Sequence, residues 1–492
     1  MERASGILMP ISSLPSKYGI GTLGREAREF ADFLAAAGQR VWQMLPLGPT
    51  GYGDSPYSSF STYAGNPYFI DLSLLAEDGL LDPAVPDSTD WGDEPSKVDY
   101  GKIYEHRLDV LRLAFEAGRE RDSAAVAAFE SKNSGWLADY ALFMALKRHF
   151  DMLPWTEWPD EGIRLRKPAS VARYASELAE DVSFFVYIQY LFYKQWDELR
   201  DYVHALGISV IGDLPIYVAL DSADVWGLPS NFLLDEKNLP TEVSGVPPDY
   251  FCEDGQLWGN PIYNWEKMRA DGYGWWIRRI EGAKKLYDSL RIDHFRGLES
   301  YWSVPYGAKT AVLGEWKKGP GMELVGVLKS WFPEVRFIAE DLGFMTPEVK
   351  KLLADSGFPG MKVLEFAFDP REPSNYLPHT YEHACVCYVG THDNETLAEW
   401  LEAAEPESLA YATEYLGLNE AEGRAWGFIR GGMASVADLF VVQMQDFLGL
   451  GSEARTNIPG TSQGNWRWRL LPNQASPALA ARLKLCTKMY GR

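Results

Sequence analysis

Short apolar runs alternate along the chain with segments of helical periodicity. About eight apolar runs have the composition of strands, at residues 7–11, 41–47, 208–216, 290–294, 335–340, 362–368, 385–389 and 439–444. Between them, residues 25–37 place Phe30, Phe33, Leu34 and Ala37 at helical spacing, and residues 186–206 form a second such segment. Strands that alternate with helices predict a mainly parallel α/β sheet with crossover helices.

The number of strand candidates predicts a closed (β/α)8 TIM barrel. A bare barrel takes about 250 residues, and this chain has 492. The surplus falls mainly in residues 49–207 and 219–289, which are rich in Pro, Trp, Tyr and Gly. We therefore expect residues 1–492 to form a single catalytic barrel domain, with large, mainly helical and loop insertions around an active-site cleft. A doubly wound open sheet shows the same alternation and stays open as the alternative.

Charge and composition restrict the partners of this fold. Lys and Arg total 47 against 69 Asp and Glu, which leaves a net charge of −22. An acidic surface repels nucleic-acid phosphates and anionic lipid, so neither nucleic acid nor a membrane is expected as a partner. The chain also contains 18 Trp, 26 Tyr and 23 Phe. So many aromatic rings suit a protein that stacks on an uncharged ligand.

The cysteines and the first residues of the chain indicate the protein's location and whether it holds a structural metal. Four cysteines in 492 residues are too few for a disulfide scaffold. Because no cysteine or histidine set has zinc spacing, we expect no structural metal. Pro10 interrupts the first apolar stretch, and no long apolar run precedes it. Together these features predict a cytoplasmic location.

Polar clusters at three strand ends carry the candidate chemistry. They span residues 291–297, 338–343 and 389–396, and they contain Asp293, Glu340 and Asp393. The carboxyl ends of barrel strands face a common mouth, where paired carboxylates can cleave a glycosidic bond. Taken singly, each cluster also fits a solvated strand end or a helix cap. Divalent metal binding is a weaker alternative. Asp213, at a fourth strand end, suits a structural role as well as a sugar-binding one.

Further motifs connect these clusters to a known family. They are residues 11–16 (ISSLPS), 19–21 (GIG), 51–57 (GYGDSPY), 64–67 (AGNP), 256–261 (QLWGNP), 457–461 (NIPGT) and 465–467 (NWR). With them, the chain resembles the amylomaltases, bacterial 4-α-glucanotransferases or disproportionating enzymes of the α-amylase clan. The resemblance covers essentially the whole chain. Leu298 and Trp468 depart mildly from the family pattern, and neither is a carboxylate.

The resemblance implies a role for each carboxylate. Asp293 would be the nucleophile, Glu340 the general acid and then base, and Asp393 the stabiliser of the transition state. The other residues implied to contact or support substrate are Ser55, Tyr57, Asp213, Phe251, Gln256, Trp258, Arg291, His294, Asp341, Phe366, Asp369, His392 and Asn465. Among them, Tyr57 is implied to be the ring that stacks on the sugar, and the other aromatic candidates are Phe251, Trp258 and Phe366.

The implied activity is transfer of α-1,4-glucan segments from maltooligosaccharides, starch or glycogen-derived glucans to the 4-hydroxyl of an acceptor. The transfer would proceed by a retaining double displacement, without a metal or an organic cofactor. Sequence alone does not separate this transferase from an α-glucan hydrolase that uses the same carboxylates. A non-catalytic carbohydrate-binding protein is the third alternative. The oligomeric state is open, and a monomer is compatible with the sequence.

Overall fold

A computed structural model describes residues 3–51, 53–248, 253–371 and 373–492. The strands are β1 (Ala4–Leu8), β2 (Val41–Gln43), β3 (Ser209–Leu214), β4 (Glu242–Val246), β5 (Gln256–Pro261), β6 (Ser289–Ile292), β7 (Ser300–Pro305), β8 (Glu315–Lys318), β9 (Arg336–Ala339), β10 (Gly360–Val363), β11 (Cys385–Tyr388) and β12 (Leu439–Gln443). Each predicted apolar run contains or overlaps one of these strands.

Eight of the strands form a parallel sheet in the order β10-β11-β12-β1-β2-β3-β6-β9. The last strand, β12, pairs with the first, β1. The two end strands are joined because the Ala339 N–H donates a hydrogen bond to the Pro359 carbonyl, just before β10, at 2.9 Å. The sheet is thus rolled into a nearly closed barrel, which confirms the predicted fold class over the open sheet.

Alternate residues of the barrel strands point into the barrel. Leu8, Ile211, Ile338, Met361 and Val441 belong to one buried apolar cluster of inward side chains. Strand β6 contributes no apolar side chain to that cluster. Its residue of the same parity is Arg291, whose Nε lies 3.3 Å from the Met361 Sδ. A charged residue therefore occupies an interior position, next to the mouth.

The α-helices pack around the barrel and over its mouth. They are Arg25–Ala36, Leu72–Glu77, Ala84–Ser88, Tyr100–Gly118, Ser123–Lys132, Leu137–His149, Glu161–Arg164, Pro168–Glu177, Ala179–Ala205, Ala223–Gly227, Trp265–Ala270, Gly274–Ala283, Met322–Trp331, Pro347–Ser356, Leu397–Ala403, Pro406–Leu416, Arg424–Ala434, Met444–Leu448 and Pro477–Met489. In the described ranges, no helix is both long and apolar enough to cross a membrane.

The long segment between β2 and β3 is mainly helical, as predicted for the first insertion. Its last helix, Ala179–Ala205, packs against the first barrel helix, Arg25–Ala36. The second predicted insertion is different. It supplies β4 and β5 to a four-stranded antiparallel sheet of order β5-β4-β7-β8. The other two strands come from residues between β6 and β9, outside either predicted insertion.

The predicted strand at residues 362–368 is shorter than expected. It spans Gly360–Val363 and is followed by a 3-10 helix, Leu364–Ala367. Cys385 and Cys387 are free and buried on β11, while Cys252 lies outside the described residues.

Candidate active site

The register of three neighbouring strands brings the charged residues of the mouth together. Asp213 on β3 is paired with Arg291 on β6, and Ile292 is paired with Ala339 on β9. Asp293 and Glu340 are the next residues along the chain, directly beyond the ends of β6 and β9. The backbone continues the pairing, since the Glu340 N–H donates to the Ile292 carbonyl at 3.0 Å.

Arg291 is the centre of the ionic network. Its Nη1 donates to both carboxylate oxygens of Asp213 at 2.7 Å and to Asp293 Oδ1 at 3.0 Å. The arginine is only 3% exposed, so its charge is balanced by these two carboxylates rather than by water. The Tyr57 hydroxyl adds a hydrogen bond to Asp213 Oδ2 at 2.8 Å. Asp213 therefore anchors both Arg291 and the Tyr57 ring.

Glu340 is held by backbone N–H groups. Its two carboxylate oxygens accept hydrogen bonds from the His294 N–H at 2.8 Å and the Leu342 N–H at 2.7 Å. His294 has a φ of 50°, in the left-handed region, which a histidine seldom adopts. This backbone turn, directly after Asp293, orients the N–H that binds Glu340.

Burial raises the pKa of both facing carboxyl groups. The pKa of Asp293 rises to about 6, because burial outweighs the attraction of Arg291. The pKa of Glu340 rises to about 7, because burial and the Asp293 charge together outweigh Arg291 and two N–H donors. The pair thus suits an ionised Asp293 beside a protonated Glu340 near neutral pH. Burial lowers the pKa of His294 to about 3, so this ring is neutral.

Asp393 lies on the loop that follows β11. Its Oδ1 accepts a hydrogen bond from Asn457 Nδ2 at 2.7 Å, and its Oδ2 lies 3.4 Å from His392 Nε2. The Arg455 guanidinium donates to the Asp393 backbone carbonyl at 3.4 Å. Asn457 was not among the predicted site residues. Its place in the motif at residues 457–461 was the signal available for finding it.

Two groups of aromatic rings border these carboxylates. Tyr57 stacks on His392 with 5.2 Å between ring centroids and 15° between planes. Trp466, which belongs to the NWR motif but was not among the predicted site residues, lies 5.9 Å from each of them. In the other group, Trp258 packs edge-on against His294 at 4.8 Å. Tyr57 and Trp258 are both partly exposed and available to a ligand.

Several other predicted residues take part in local contacts near these rings. Ser55 Oγ accepts a hydrogen bond from the Tyr57 N–H at 3.3 Å. Gln256 Oε1 accepts one from Trp258 Nε1 at 3.1 Å. Phe366 is 44% exposed and packs edge-on against Tyr376. The Phe251 prediction lies outside the described residues.

Three predicted binding residues have protein partners of their own. Asp341 accepts a hydrogen bond from the Met361 N–H at 2.6 Å. Asp369 binds Arg371, which lowers the pKa of its carboxyl to about 2. Asn465 accepts from the Ile458 N–H at 3.0 Å and so shapes the loop that carries Asn457. The structure thus gives these three residues supporting contacts, and their contact with substrate stays a prediction.

No group of three or more His, Cys, Asp or Glu side chains within the described residues is arranged to hold a metal ion.

The chain is similar to known proteins over its whole length. A family model described as 4-alpha-glucanotransferase matches residues 9–474. The 4-alpha-glucanotransferase of Clostridium butyricum is 50% identical over 98% of this chain and 100% of its own length. That of Thermus thermophilus is 49% identical over 98% of both chains. The structure of amylomaltase from Streptococcus agalactiae in complex with acarbose superposes with a TM-score of 0.98 at 41% identity, covering 100% of both chains.

Proposed function

The chain belongs to the 4-alpha-glucanotransferase family and shares its activity on α-glucans, and we propose that it acts by a retaining double displacement. Asp293 is the nucleophile, Glu340 the acid and base, and Asp393 the stabiliser of the oxocarbenium-like transition state. The observation that supports this proposal is the register of β6 and β9, whose last pair, Ile292 and Ala339, directly precedes Asp293 and Glu340.

The first displacement breaks the glycosidic bond. A carboxylate oxygen of Asp293 attacks the anomeric carbon, and the Glu340 proton passes to the departing 4-oxygen of the leaving glucan. The product is a glycosyl ester on Asp293. Retention requires the two carboxyl groups to be about 5–5.5 Å apart. Paired residues on neighbouring strands are separated by about 4.8 Å, which supports so short a distance.

The second displacement transfers the glycosyl group. Glu340, now ionised, takes the proton of the acceptor 4-hydroxyl, whose oxygen attacks the anomeric carbon. The ester bond breaks, and Asp293 leaves as a carboxylate. Arg291 stabilises that carboxylate through its 3.0 Å contact. Asp393, held by Asn457, faces the positive charge that develops on the sugar in both steps.

The contacts around the carboxylates suggest how the sugar is oriented. Tyr57 and Ser55 line the donor side, with Asp213 and His392 fixing the Tyr57 ring by a hydrogen bond and a stacking contact. Trp258 and Gln256 belong to the acceptor side, beside His294. The substrates are maltooligosaccharides and starch- or glycogen-derived α-1,4-glucans.

The free Cys385, Cys387 and Cys486 support a cytoplasmic site of action.

Transfer in place of hydrolysis needs an energetic preference for sugar. Water is on the order of ten-thousand-fold more concentrated than a millimolar acceptor, so roughly 5 kcal/mol must favour the sugar in the second step. Aromatic walls that bind the acceptor and displace water can supply this preference. The rings on both sides of the carboxylates support that explanation. An α-glucan hydrolase with the same carboxylates is the second candidate.

Purified protein with maltotriose tests the proposal. Transfer gives glucose together with glucans longer than maltotriose, whereas hydrolysis gives only glucose and maltose. We expect the first product pattern by chromatography. Asp293→Asn should lower the rate by at least about a thousandfold, because an amide is a poor nucleophile. Glu334→Gln changes an exposed carboxylate that pairs with Lys284 and is the matched control. A near-normal rate in Asp293→Asn would overturn the site assignment.

A further inference from the structure

Two exposed aromatic rings lie beside the catalytic mouth without a place in the site described above. Trp316, on the edge strand β8, is 43% exposed, and Phe344, on the loop after β9, is 78% exposed. Both are large apolar side chains, and such exposure in a cluster typically marks a binding surface. We call these two rings the outer platform.

A single arginine contacts the Trp316 ring and the backbone of Phe344. The Arg296 guanidinium lies 4.0 Å from the centroid of the Trp316 ring, and its Nη1 donates a hydrogen bond to the Phe344 carbonyl at 2.6 Å. Arg296 itself is 6% exposed. The Trp316 ring also meets Trp302, its cross-strand partner, at 5.2 Å and 67°. The Trp316 ring is therefore held in place by the packed side chains of Arg296 and Trp302.

The outer platform is continuous with the mouth through short stretches of chain. Arg296 is three residues beyond Asp293, and Phe344 is four residues beyond Glu340. The segment between Asp293 and Arg296 contains His294, against which Trp258 packs. Arg296, which contacts Trp316 and the Phe344 backbone, thus lies on the same short segment as the nucleophile candidate and the His294 ring.

We propose that Trp316 and Phe344 bind a distal part of a long α-1,4-glucan whose reacting end occupies the catalytic site. This inference rests on the proposed function for the identity of the ligand. Sugar rings have flat apolar faces that stack on aromatic side chains, and an uncharged glucan is indifferent to the net charge of −22. A short substrate such as maltotriose ends before the outer platform, so the platform distinguishes long glucans from short ones.

Kinetics with short and long glucans test this proposal. In the double variant Trp316→Ala/Phe344→Ala, we expect the KM for long amylose to rise about tenfold, since removing each stacking ring weakens binding about threefold or more. The KM and kcat for maltotriose should stay within about twofold of the original values. Trp331→Ala is the matched control, because Trp331 is 61% exposed at the end of the helix Met322–Trp331. It should change neither substrate's KM.

Two results would overturn the outer platform. One is an unchanged KM for amylose in the double variant, and the other is an equal rise in KM for maltotriose and amylose. A change of oligomeric state on gel filtration, without a change in KM, would instead assign the rings to a contact between copies of the chain. Retardation of the protein in an amylose-containing native gel reports binding without turnover. This gel distinguishes the two proposals. If the outer platform is wrong, the double variant is retarded as strongly as the original protein. If the catalytic proposal is wrong, the original protein shows no transfer.

Discussion

Arg291 links the ionisation of the catalytic pair to the rest of the network. The proposed mechanism needs Asp293 ionised and Glu340 protonated, so activity should rise through about pH 6 and fall through about pH 7, the pKa values of the two groups. The positive charge of Arg291 lowers the pKa of both carboxyls. Removing that charge raises both values, and the active pH range moves upward as a whole.

Arg291→Met should therefore shift both limbs of the kcat/KM profile for maltotriose to higher pH and lower its maximum at least about tenfold. Arg291→Lys keeps the charge but loses the planar guanidinium, so its profile should drop in height and keep its position. Rates between pH 4.5 and 9 check both variants. If the limbs of the two variant profiles lie at the same pH, the positive charge of Arg291 does not set the pKa values of the pair.

At the residue scale, the strand ends predict that the three carboxylates converge at the barrel mouth, and their catalytic roles stay a prediction. Asp293 and Glu340 each follow directly after an apolar run, so the convergence of parallel strands brings them together. Asn457 and Trp466 could not be derived in this way. They lie in a long loop after β12, and only the folded backbone shows that this loop returns to Asp393 and Tyr57. Loop paths depend on tertiary contacts that no local pattern encodes.

Among the elements, strand β3 requires a glycine at position 212, where its backbone lies against the ring of Tyr287. A Cβ added at Gly212 would lie 2.1 Å from the ring of Tyr287, and the Tyr287 hydroxyl accepts a hydrogen bond from the Leu47 N–H at 3.1 Å. An alanine here must displace a buried ring whose hydroxyl is bonded to the segment that follows β2.

Gly212→Ala should destabilise the fold by about 1–3 kcal/mol through overpacking. Gly326→Ala is the matched control, since Gly326 lies in the helix Met322–Trp331 and has nothing within 4 Å of an added Cβ. It should be neutral or stabilise by up to about 1 kcal/mol, because alanine favours the helix. Urea midpoints of both variants provide the measurement. Equal midpoints would contradict the close packing of Gly212 and Tyr287.

The elements also show where periodicity is informative. The barrel strands were predictable because each is a buried run bounded by polar residues. The antiparallel sheet was not, because β4 and β5 are separated from β7 and β8 by β6 of the barrel. The exposure of Leu257 and Trp258 on β5 further weakens its strand pattern. When two hairpins far apart in the sequence share a sheet, the pattern of either hairpin alone does not predict their pairing.

At the scale of the whole molecule, the length of 492 residues is explained by a barrel whose connecting segments build walls above one end. The helical segment between β2 and β3 provides Tyr57, and the antiparallel sheet provides Trp258 and Trp316. Treating residues 1–492 as a single catalytic domain stays a prediction. The carboxylates proposed as catalytic come from the barrel and the aromatic rings from the walls, and together they suit an uncharged polymer.

The net charge of −22 leads to a final prediction about salt. Raising the ionic strength from about 0.05 to about 0.5 M shortens the screening length to about 4 Å, which weakens repulsion between surface carboxylates. The midpoint of thermal unfolding should therefore rise with salt. A neutral glucan is not steered by the field of the protein, so kcat/KM for maltotriose should change less than about twofold. Parallel measurements of unfolding and kinetics in NaCl check both outcomes. A severalfold fall in kcat/KM, with the fold intact, would mean that charge at the surface takes part in recognising the substrate.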